Sequence, residues 1–319
     1  MGKVRLTGAE IIWECLIREG VNVVFGYPGG AILPTYDALG KYSDKVHHVL
    51  TRHEQGATHM ADGYARSSGK VGVAMATSGP GAANMVTGLA TAMMDSIPIV
   101  CITGQVPRPA IGSDAFQEMD ISGAVIPVTK HSYLVMEIEN LARTIKEAFA
   151  IARSGRPGPV LVDIPKDLQA EEFDFIYPEE PILLPGENPV INDIDLNSLE
   201  QAASLISESK RPVILAGHGI LLSGASKEVI ELSEKGNIPS SWTLLGSGAV
   251  PASHHLNMGM MGMHGEFAAN NAIQKADLLI ACGMRFDDRV TGNTNTYSLE
   301  SKKIHIEIDP SEINKNVPV

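Results

Sequence analysis

The chain has 319 residues, enough for about two domains. Its formal net charge of −12 argues against nucleic acid or an anionic membrane surface as the main partner. The sequence contains no run of about 18 consecutive apolar residues, which a membrane span requires, and no apolar signal-peptide core near its start. Cys15, Cys101 and Cys282 lie far apart in apolar segments, which indicates buried thiols in a reducing compartment. We therefore expect a cytoplasmic or organelle-matrix protein without a membrane partner.

Helix and strand patterns alternate through the first half of the chain. Thr7 and Glu10 form a capping-box pattern before an apolar helix that ends near Gly20. The elements predicted next are strands over 21–25, 46–50, 71–76, 97–103 and 160–164, and helices over 31–39, 54–67, 81–94 and 141–152. Apolar strands that alternate with helices predict a doubly wound α/β domain, a parallel sheet covered on both faces.

The segment 167–195 interrupts this alternation with acidic residues and prolines. We therefore predict a first domain over 1–168, a linker over 169–194 and a second domain over 195–319. The second domain again alternates, with helices over 199–207, 227–235 and 267–274 and strands over 212–216, 277–282 and 304–308. Its predicted fold is a second doubly wound parallel sheet.

The helix predicted over 54–67 has two features of interest. Ala57, Ala61 and Ala65 recur at helical spacing, a thin face that lets another backbone come close. Glu54 lies where a strand turns into this helix. An ion pair with a preceding basic residue is one interpretation of Glu54, and a functional carboxylate is the other.

Glycine-rich segments follow several of the predicted strands. Residues 77–84 and 27–31 each lead from a strand into a helix, where backbone N–H groups can face an anion, although a tight turn is the simpler interpretation. Residues 217–224 resemble a dinucleotide fingerprint, but their last glycine spacing is too long for the motif.

The segments 262–265 and 283–292 are less usual. The second follows a strand, so its polar side chains are expected at the carboxyl edge of a sheet, where open α/β folds bind ligands. Arg285 and Arg289 could meet phosphates there and Asp287 or Asp288 could orient them, or the segment could be a surface loop with local ion pairs.

Six segments occur in one order: RHEQGATHMADGYAR at 52–66, TSGPG at 77–81, GQVP at 104–107, GSDAFQE at 112–118, GRPGP at 155–159 and GMRFDDR at 283–289. Together they resemble the large, catalytic subunit of acetolactate synthase, and the resemblance covers essentially the whole chain. That family consists of transferases that use thiamine diphosphate, Mg²⁺ and FAD in branched-chain amino acid biosynthesis.

The resemblance implies a fold and an extent. The family has a pyrimidine-binding domain, a central Rossmann-like FAD-binding domain and a diphosphate-binding domain, and this sequence matches the first and most of the second. The third domain carries the Mg²⁺ ligands, so no metal ligand is expected in this chain. We therefore expect an N-terminal fragment, truncated in its FAD-binding domain and inactive by itself.

The resemblance also implies roles for individual residues. Glu54 would hydrogen-bond N1′ of the thiamine aminopyrimidine and favour its imino tautomer. Gly30, Phe116 and Gln117 would line the reacting centre. Phe116 and Lys166 would line the substrate, with Lys166 at its entrance. The residues matching FAD-binding positions, or lying just beyond them, are Arg156, His264, Gly265, Gly283, Arg285, Asp287, Asp288, Arg289 and Glu307.

The implied reaction decarboxylates pyruvate and joins the two-carbon unit to a second 2-ketoacid, pyruvate or 2-ketobutyrate. The family works as homodimers or homotetramers, in some cases with a regulatory small subunit. Two alternatives stay open. One is another thiamine-diphosphate carboligase or decarboxylase, although Glu54 argues against glyoxylate carboligase and residues 285–289 argue against the flavin-free catabolic enzymes. The other is a non-catalytic flavin-binding or assembly module.

Overall fold

The computed structural model describes residues 4–182 and 195–319, and the chain divides into two compact units, Met1–Glu187 and Asn188–Val319. Each unit contains a parallel sheet with helices on both faces, so the predicted α/β class is confirmed. Part of the predicted linker belongs to the first unit, because Glu172–Phe175 pairs antiparallel with Val4–Thr7. Residues 183–194 lie outside the described residues, and the exact domain bounds stay a prediction.

The first unit has eight strands among its described residues. They are β1 (Val4–Thr7), β2 (Val23–Gly26), β3 (His47–Leu50), β4 (Gly72–Ala76), β5 (Ile99–Gln105), β6 (His131–Leu134), β7 (Val160–Pro165) and β8 (Glu172–Phe175). Six of them form a parallel sheet in the order β3-β2-β4-β5-β7-β6, in which Val73 pairs with Val100 and Cys101 with Leu161.

Eight helices surround these strands in the described part of the first unit. They are α1 (Gly8–Arg18), α2 (Leu33–Ala38), α3 (Glu54–Ser68), α4 (Pro80–Ala83), α5 (Val86–Asp95), α6 (Ile121–Ala124), α7 (Ile138–Arg153) and α8 (Lys166–Ala170). The predicted capping box is confirmed, because the Thr7 side chain accepts from the Glu10 N–H and the Glu10 carboxylate accepts from the Thr7 N–H. The helix predicted over 81–94 is interrupted at Asn84 and Met85, and this division was not predicted.

Two apolar cores cover the two faces of the six-stranded sheet. Side chains alternate along β4, so that Val73 and Met75 join the core under α1 and α7, while Ala74 and Ala76 join the core under α3 and α5. All four are completely buried. This two-sided burial is why β4 and β5 are continuous apolar runs.

The second unit repeats this architecture with five strands over residues 195–319. They are β9 (Pro212–Ala216), β10 (Ser240–Trp242), β11 (Asn257–Met260), β12 (Leu278–Cys282) and β13 (Lys302–Ile306), all parallel, in the order β11-β10-β9-β12-β13. Its helices are α9 (Leu196–Glu208), α10 (His218–Ser223), α11 (Ser226–Gly236), α12 (Phe267–Lys275) and α13 (Asp288–Thr291). β10 and β11 were not predicted because they are short and contain serine, asparagine and glycine.

Over residues 4–182 and 195–319, no helix is both long and apolar enough to cross a membrane.

Candidate active site

The strand order of the first unit reverses beside β2. The chain passes from β2 to β3 on one side, whereas β4 and β5 continue on the other. At such a point the carboxyl ends of two neighbouring strands open a crevice, the usual ligand site of an open α/β sheet. The turns after β2 and β4 meet there: the Ala31 N–H donates to Thr77 Oγ1 over 3.1 Å, and a Cβ on Gly29 would lie 2.5 Å from Thr77 Cγ2.

Glu54 opens α3 at this crevice. His53 is the N-cap, and its Nδ1 accepts from the Gln55 N–H, so the acid occupies the first helical position, where the helix dipole favours negative charge. Glu54 is 8% exposed. Its Oε2 accepts from Asn84 Nδ2 over 2.9 Å, and a Cβ on Gly81 would lie 3.2 Å from its Oε1.

The two oxygens of Glu54 therefore differ. In the part of the chain that the structure describes, Glu54 forms no ion pair, and Oε1 has no hydrogen-bond partner. The interpretation of Glu54 as one member of a local ion pair is not supported. One oxygen is held by an amide, and the other faces the glycine turn after β4.

Asn84 is a site residue that the sequence analysis did not identify. It follows α4 and is half-buried, and its side chain reaches back to an acid that lies 30 residues earlier in the chain. An asparagine after a glycine-rich turn has many ordinary roles, so no local pattern indicates this contact. Tyr36 was also missed, because no local pattern relates it to Glu54. Burial is the main cause that raises the pKa of its phenol, and the negative charge of Glu54 is the second cause.

The loop carrying Phe116 and Gln117 packs on the same glycine turn. A Cβ on Gly79, whose φ is +54°, would lie 2.5 Å from the carbonyl oxygen of Gln117. Gln117 itself has a φ of 59°, and the Phe116 side chain is 88% exposed. A residue with a side chain at position 79 would push this loop away from the turn.

Gly30 and Lys166 are the remaining predicted residues of this edge. Gly30 is exposed, with open space where a Cβ would project. Lys166 opens α8 directly after β7, and no described residue forms a hydrogen bond or ion pair with its ammonium group. Two strands, β4 and β5, separate β7 from β2 in the sheet, so Lys166 shares the edge with Glu54 but is not its neighbour.

A buried polar network supports this edge. Asp163 is 1% exposed, and its oxygens accept from Thr103 Oγ1 over 2.7 Å and from Gln105 Nε2 over 2.8 Å. Gln105 Nε2 also donates to the carbonyl of Met119, and Gln105 Oε1 accepts from the Val106 N–H. Burial raises the pKa of Asp163 to about 6, against the lowering effect of the two hydrogen bonds.

The strand order of the second unit reverses beside β9. The chain passes from β9 to β10 and β11 on one side, and to β12 and β13 on the other. The turns after β9 and β12 interlock: the Gly219 N–H donates to the Gly283 carbonyl over 2.9 Å, and a Cβ on Gly219 would lie 2.7 Å from the Gly283 Cα. Gly283 has a φ of +58°. This edge has the glycine-lined crevice typical of nucleotide sites.

The four predicted residues after Gly283 have different surroundings. Asp287 caps α13, because its Oδ1 accepts from the N–H groups of Arg289 and Val290. Arg289 and Asp288 are exposed and lie 3.7 Å apart. Arg285 is half-buried, and its guanidinium has no hydrogen bond or ion pair with the described residues. Arg289 also carries a guanidinium, but it contacts Asp288 and Met263, so Arg285 is the one of these four whose guanidinium donors are unoccupied by the described residues.

The other residues predicted for the flavin are more dispersed. The Gly262 N–H donates to Asn270 Oδ1, and the Gly262 carbonyl accepts from Asn270 Nδ2, which closes a tight turn over 262–265. In this turn His264 is exposed and Gly265 packs against the Met260 carbonyl. Glu307 follows β13, and its Oε1 accepts from the Ile308 N–H over 2.9 Å. Arg156 lies in the first unit, before β7, and its Nε donates to Ser96 Oγ over 2.8 Å.

Comparison with known proteins matches both units to one family. Residues 6–124 match the family described as "Thiamine pyrophosphate enzyme, N-terminal TPP binding domain", and residues 199–319 match "Thiamine pyrophosphate enzyme, central domain". The chain belongs to the thiamine pyrophosphate enzymes. The cofactor in this name is thiamine diphosphate, so the first unit, with Glu54, is the family's cofactor-binding N-terminal domain.

Individual thiamine pyrophosphate enzymes are similar over 98% of the chain. A protein of Methanocaldococcus jannaschii named "Probable acetolactate synthase large subunit" is 52% identical, with 53% of its length covered. An "Acetolactate synthase" of Arthrospira platensis is 51% identical, with 55% covered. An "Acetolactate synthase large subunit" of Corynebacterium glutamicum is 51% identical, with 49% covered. The chain thus spans about half the length of the curated relatives it matches.

Proposed function

We propose that this chain forms two domains of an acetolactate synthase catalytic subunit. The full protein would decarboxylate pyruvate and join the two-carbon unit to a second 2-ketoacid, pyruvate or 2-ketobutyrate, in valine, leucine and isoleucine biosynthesis. The observation that carries the proposal is the divided environment of Glu54, with Oε2 held by Asn84 and Oε1 directed at a glycine turn. About 50% identity to proteins with this name over nearly the whole chain supports it.

The residues around Glu54 fit thiamine diphosphate. A nearly buried carboxylate oxygen without a protein partner among the described residues can accept from, or share a proton with, a ring nitrogen. The absence of a side chain at Gly81 leaves that oxygen accessible. When bound, thiamine diphosphate supplies a carbon nucleophile and an electron sink for the decarboxylation. Glu54 would hold and move a proton at the aminopyrimidine, and Asn84 would fix the carboxylate for that task.

The same edge can receive a small 2-ketoacid. Gly30 leaves open space, Gln117 is held against the Gly79 turn, and Phe116 exposes an apolar ring that can exclude water. Lys166 has an ammonium group without a described partner, which can attract the carboxylate of an entering ketoacid. We propose Glu54 and Gln117, with Gly30, for the reacting centre, and Phe116 and Lys166 for the substrate path.

The second unit fits FAD. The glycine turns after β9 and β12 pack on each other at the carboxyl edge of the sheet, beside the reversal of strand order where open α/β sheets bind dinucleotides. Arg285 has a guanidinium without a partner among the described residues, which can bind a phosphate. His264, Gly265, Asp288, Arg289, Glu307 and Arg156 stay predicted contacts. Asp287 would act through its helix cap. Because the proposed reaction involves no net change of oxidation state, the flavin would have a mainly structural role.

Other parts of the proposal concern the complete protein. Mg²⁺ would accompany the diphosphate, with ligands outside these 319 residues. The protein would assemble as a homodimer or homotetramer, and a regulatory small subunit could bind it. Three buried free thiols are compatible with a cytoplasmic location.

Replacement of Glu54 tests the proposal in the full-length protein. We expect Glu54→Gln to lower acetolactate formation from pyruvate by a factor of about 10²–10⁴, because an amide cannot exchange a proton with the aminopyrimidine. Flavin content should not change. Glu139→Gln, an exposed position on α7, is the matched control and should behave as wild type. An unchanged rate in Glu54→Gln would remove Glu54 from the mechanism.

A further inference from the structure

The loop 112–118 has an unusual backbone. Gly112, Asp114 and Gln117 have φ values of 82°, 57° and 59°. The left-handed region is costly for residues other than glycine, so Asp114 and Gln117 must be held there by surrounding contacts.

Glu118 bonds the backbone on both sides of Asp114, at Gly112 and Ala115, and so holds the loop from inside. Its Oε1 accepts from the Gly112 N–H, and its Oε2 accepts from the Ala115 N–H over 2.9 Å. These bonds, the first being the largest cause, hold the pKa of Glu118 below its usual value, and the N–H groups of Ser113 and Asp114 add to the effect. Because this pKa is lowered, the hydrogen bonds of the Glu118 carboxylate are complete at neutral pH. They are lost only as the pH falls through the pKa of Glu118 in the folded protein.

The base of the loop is anchored separately. The Met119 carbonyl accepts from Gln105 Nε2 over 2.8 Å, and Gln105 is itself fixed by Asp163. Because this anchor follows Glu118 directly, the loss of the Glu118 contacts would release residues 112–117 without releasing the base. The two effects can therefore be separated by experiment.

The loop connects Glu118 to the active-site edge. The Gln117 carbonyl packs on Gly79, and Gly81, two residues further on, lies beside Oε1 of Glu54. The neighbouring Phe116 is 88% exposed at the tip. The positions of both side chains therefore depend on the folded-back shape of residues 112–118.

We propose that Glu118 is a positioning residue that holds residues 112–117 in shape, so that Gln117 and Phe116 meet the 2-ketoacid substrate. Its effect on the reaction rests on the proposed function, whereas its effect on the loop does not. Glu118 makes its bonds through the backbone of the loop, so it acts through Gln117 and Phe116.

Glu118→Gln in the full-length protein tests this inference. The substitution preserves shape but turns an NH₂ group toward N–H donors, so one of the two bonds cannot form. We expect amide hydrogen exchange in residues 112–118 to accelerate by about 10- to 100-fold. The kcat/KM for pyruvate should fall by about 10-fold or more, while the affinity for thiamine diphosphate stays the same.

Asp114→Asn is the matched control. It removes one charge from the same loop at an exposed position, and asparagine tolerates a left-handed φ, so exchange and kinetics should match wild type. Unchanged exchange in Glu118→Gln would overturn the inference, and faster exchange with unchanged kcat/KM would overturn the positioning role. If the wild-type protein makes no acetolactate, the proposed function fails, and the exchange comparison still decides whether Glu118 holds the loop.

Discussion

Two carboxyl groups of the first unit have opposite surroundings. Glu54 has one oxygen held by Asn84 and one without a partner among the described residues, an arrangement suited to a ligand. Asp163 has both oxygens occupied by Thr103 and Gln105 and is 1% exposed. Asp163 therefore has no open position for a substrate, and its role is to orient the Gln105 amide beneath the active-site edge.

Asp163 should make stability depend on pH. Its pKa rises from the ordinary 3.8 to about 6 in the folded state, so the folded protein binds this proton more tightly than the unfolded chain. That stabilisation is complete below pH 3.8 and is lost as the pH rises through about 6. Asp163→Asn cannot ionise, and its amide can still accept from Gln105 and donate to Thr103.

As the pH rises from 3.8 through about 6, the unfolding free energy of wild type should therefore fall relative to that of Asp163→Asn. The full shift should be about 3 kcal/mol, at about 1.4 kcal/mol per pKa unit. Urea unfolding of both proteins over a pH series measures it, and other titrating groups cancel in the difference. A difference that does not change with pH would contradict this account.

At the level of secondary structure, small residues on α3, β4 and α5 set the position of α3. The predicted thin face is confirmed: Ala57 and Ala61 are completely buried, and a Cβ on Gly72 of β4 would overlap the Ala61 carbonyl. On the other side, a Cβ on Gly88 of α5 would lie 2.5 Å from Thr58 Cβ. The close contact of α3 with β4 and α5 sets the position at which its first residue, Glu54, enters the crevice.

Two glycine substitutions should change stability in opposite directions. Gly72→Ala forces α3 away from β4 and should lower the free energy of unfolding by about 1–3 kcal/mol, the usual cost of overpacking. Gly63→Ala lies on the exposed face of α3, where a Cβ meets nothing within 4 Å, and should raise it by up to about 1 kcal/mol through helix propensity. Chemical denaturation measures both, and equal effects would show that the contact is not tight.

On the scale of the whole molecule, one design occurs twice. Each unit has a parallel sheet whose strand order reverses beside its first parallel strand, β2 or β9, and each has glycine-rich turns at the carboxyl end of that strand. The first crevice presents a carboxylate, which suits a ring nitrogen, and the second presents a guanidinium, which suits a phosphate. The two units therefore offer different chemistry at equivalent places.

This difference predicts separable cofactor binding in the full-length protein. Arg285→Ala should weaken flavin binding by about 10- to 100-fold, because a charge-assisted bond to phosphate is lost. Thiamine diphosphate affinity should stay unchanged. Flavin absorbance after dialysis and a titration with thiamine diphosphate measure the two, with Lys227→Ala on the exposed face of α11 as control. Full flavin retention in Arg285→Ala would exclude this arginine from the site.

The apolar pattern predicted most regular elements because local periodicity records which faces are buried. It missed β6, β10 and β11, which are short and partly polar. It also missed the antiparallel pair β1 and β8, in which Val4 pairs with Phe175 and Thr7 with Glu172, residues from distant parts of the first unit. The motif segments indicated Glu54 and Gln117, but the contacts of Asn84, Asp163 and Glu118 with the site were not predictable from them.

The sequence by itself determined the α/β class, the two sheets, the family and the position of Glu54 at a strand–helix junction, since these depend on local pattern and on motif order. Only the tertiary structure decided what surrounds Glu54. Asn84, which lies between α4 and α5, holds one oxygen because α5 packs beside α3. Gly81 exposes the other oxygen because the turns after β2 and β4 meet where the strand order reverses. A contact between residues far apart in sequence depends on strand order, and strand order is set by packing of the whole sheet.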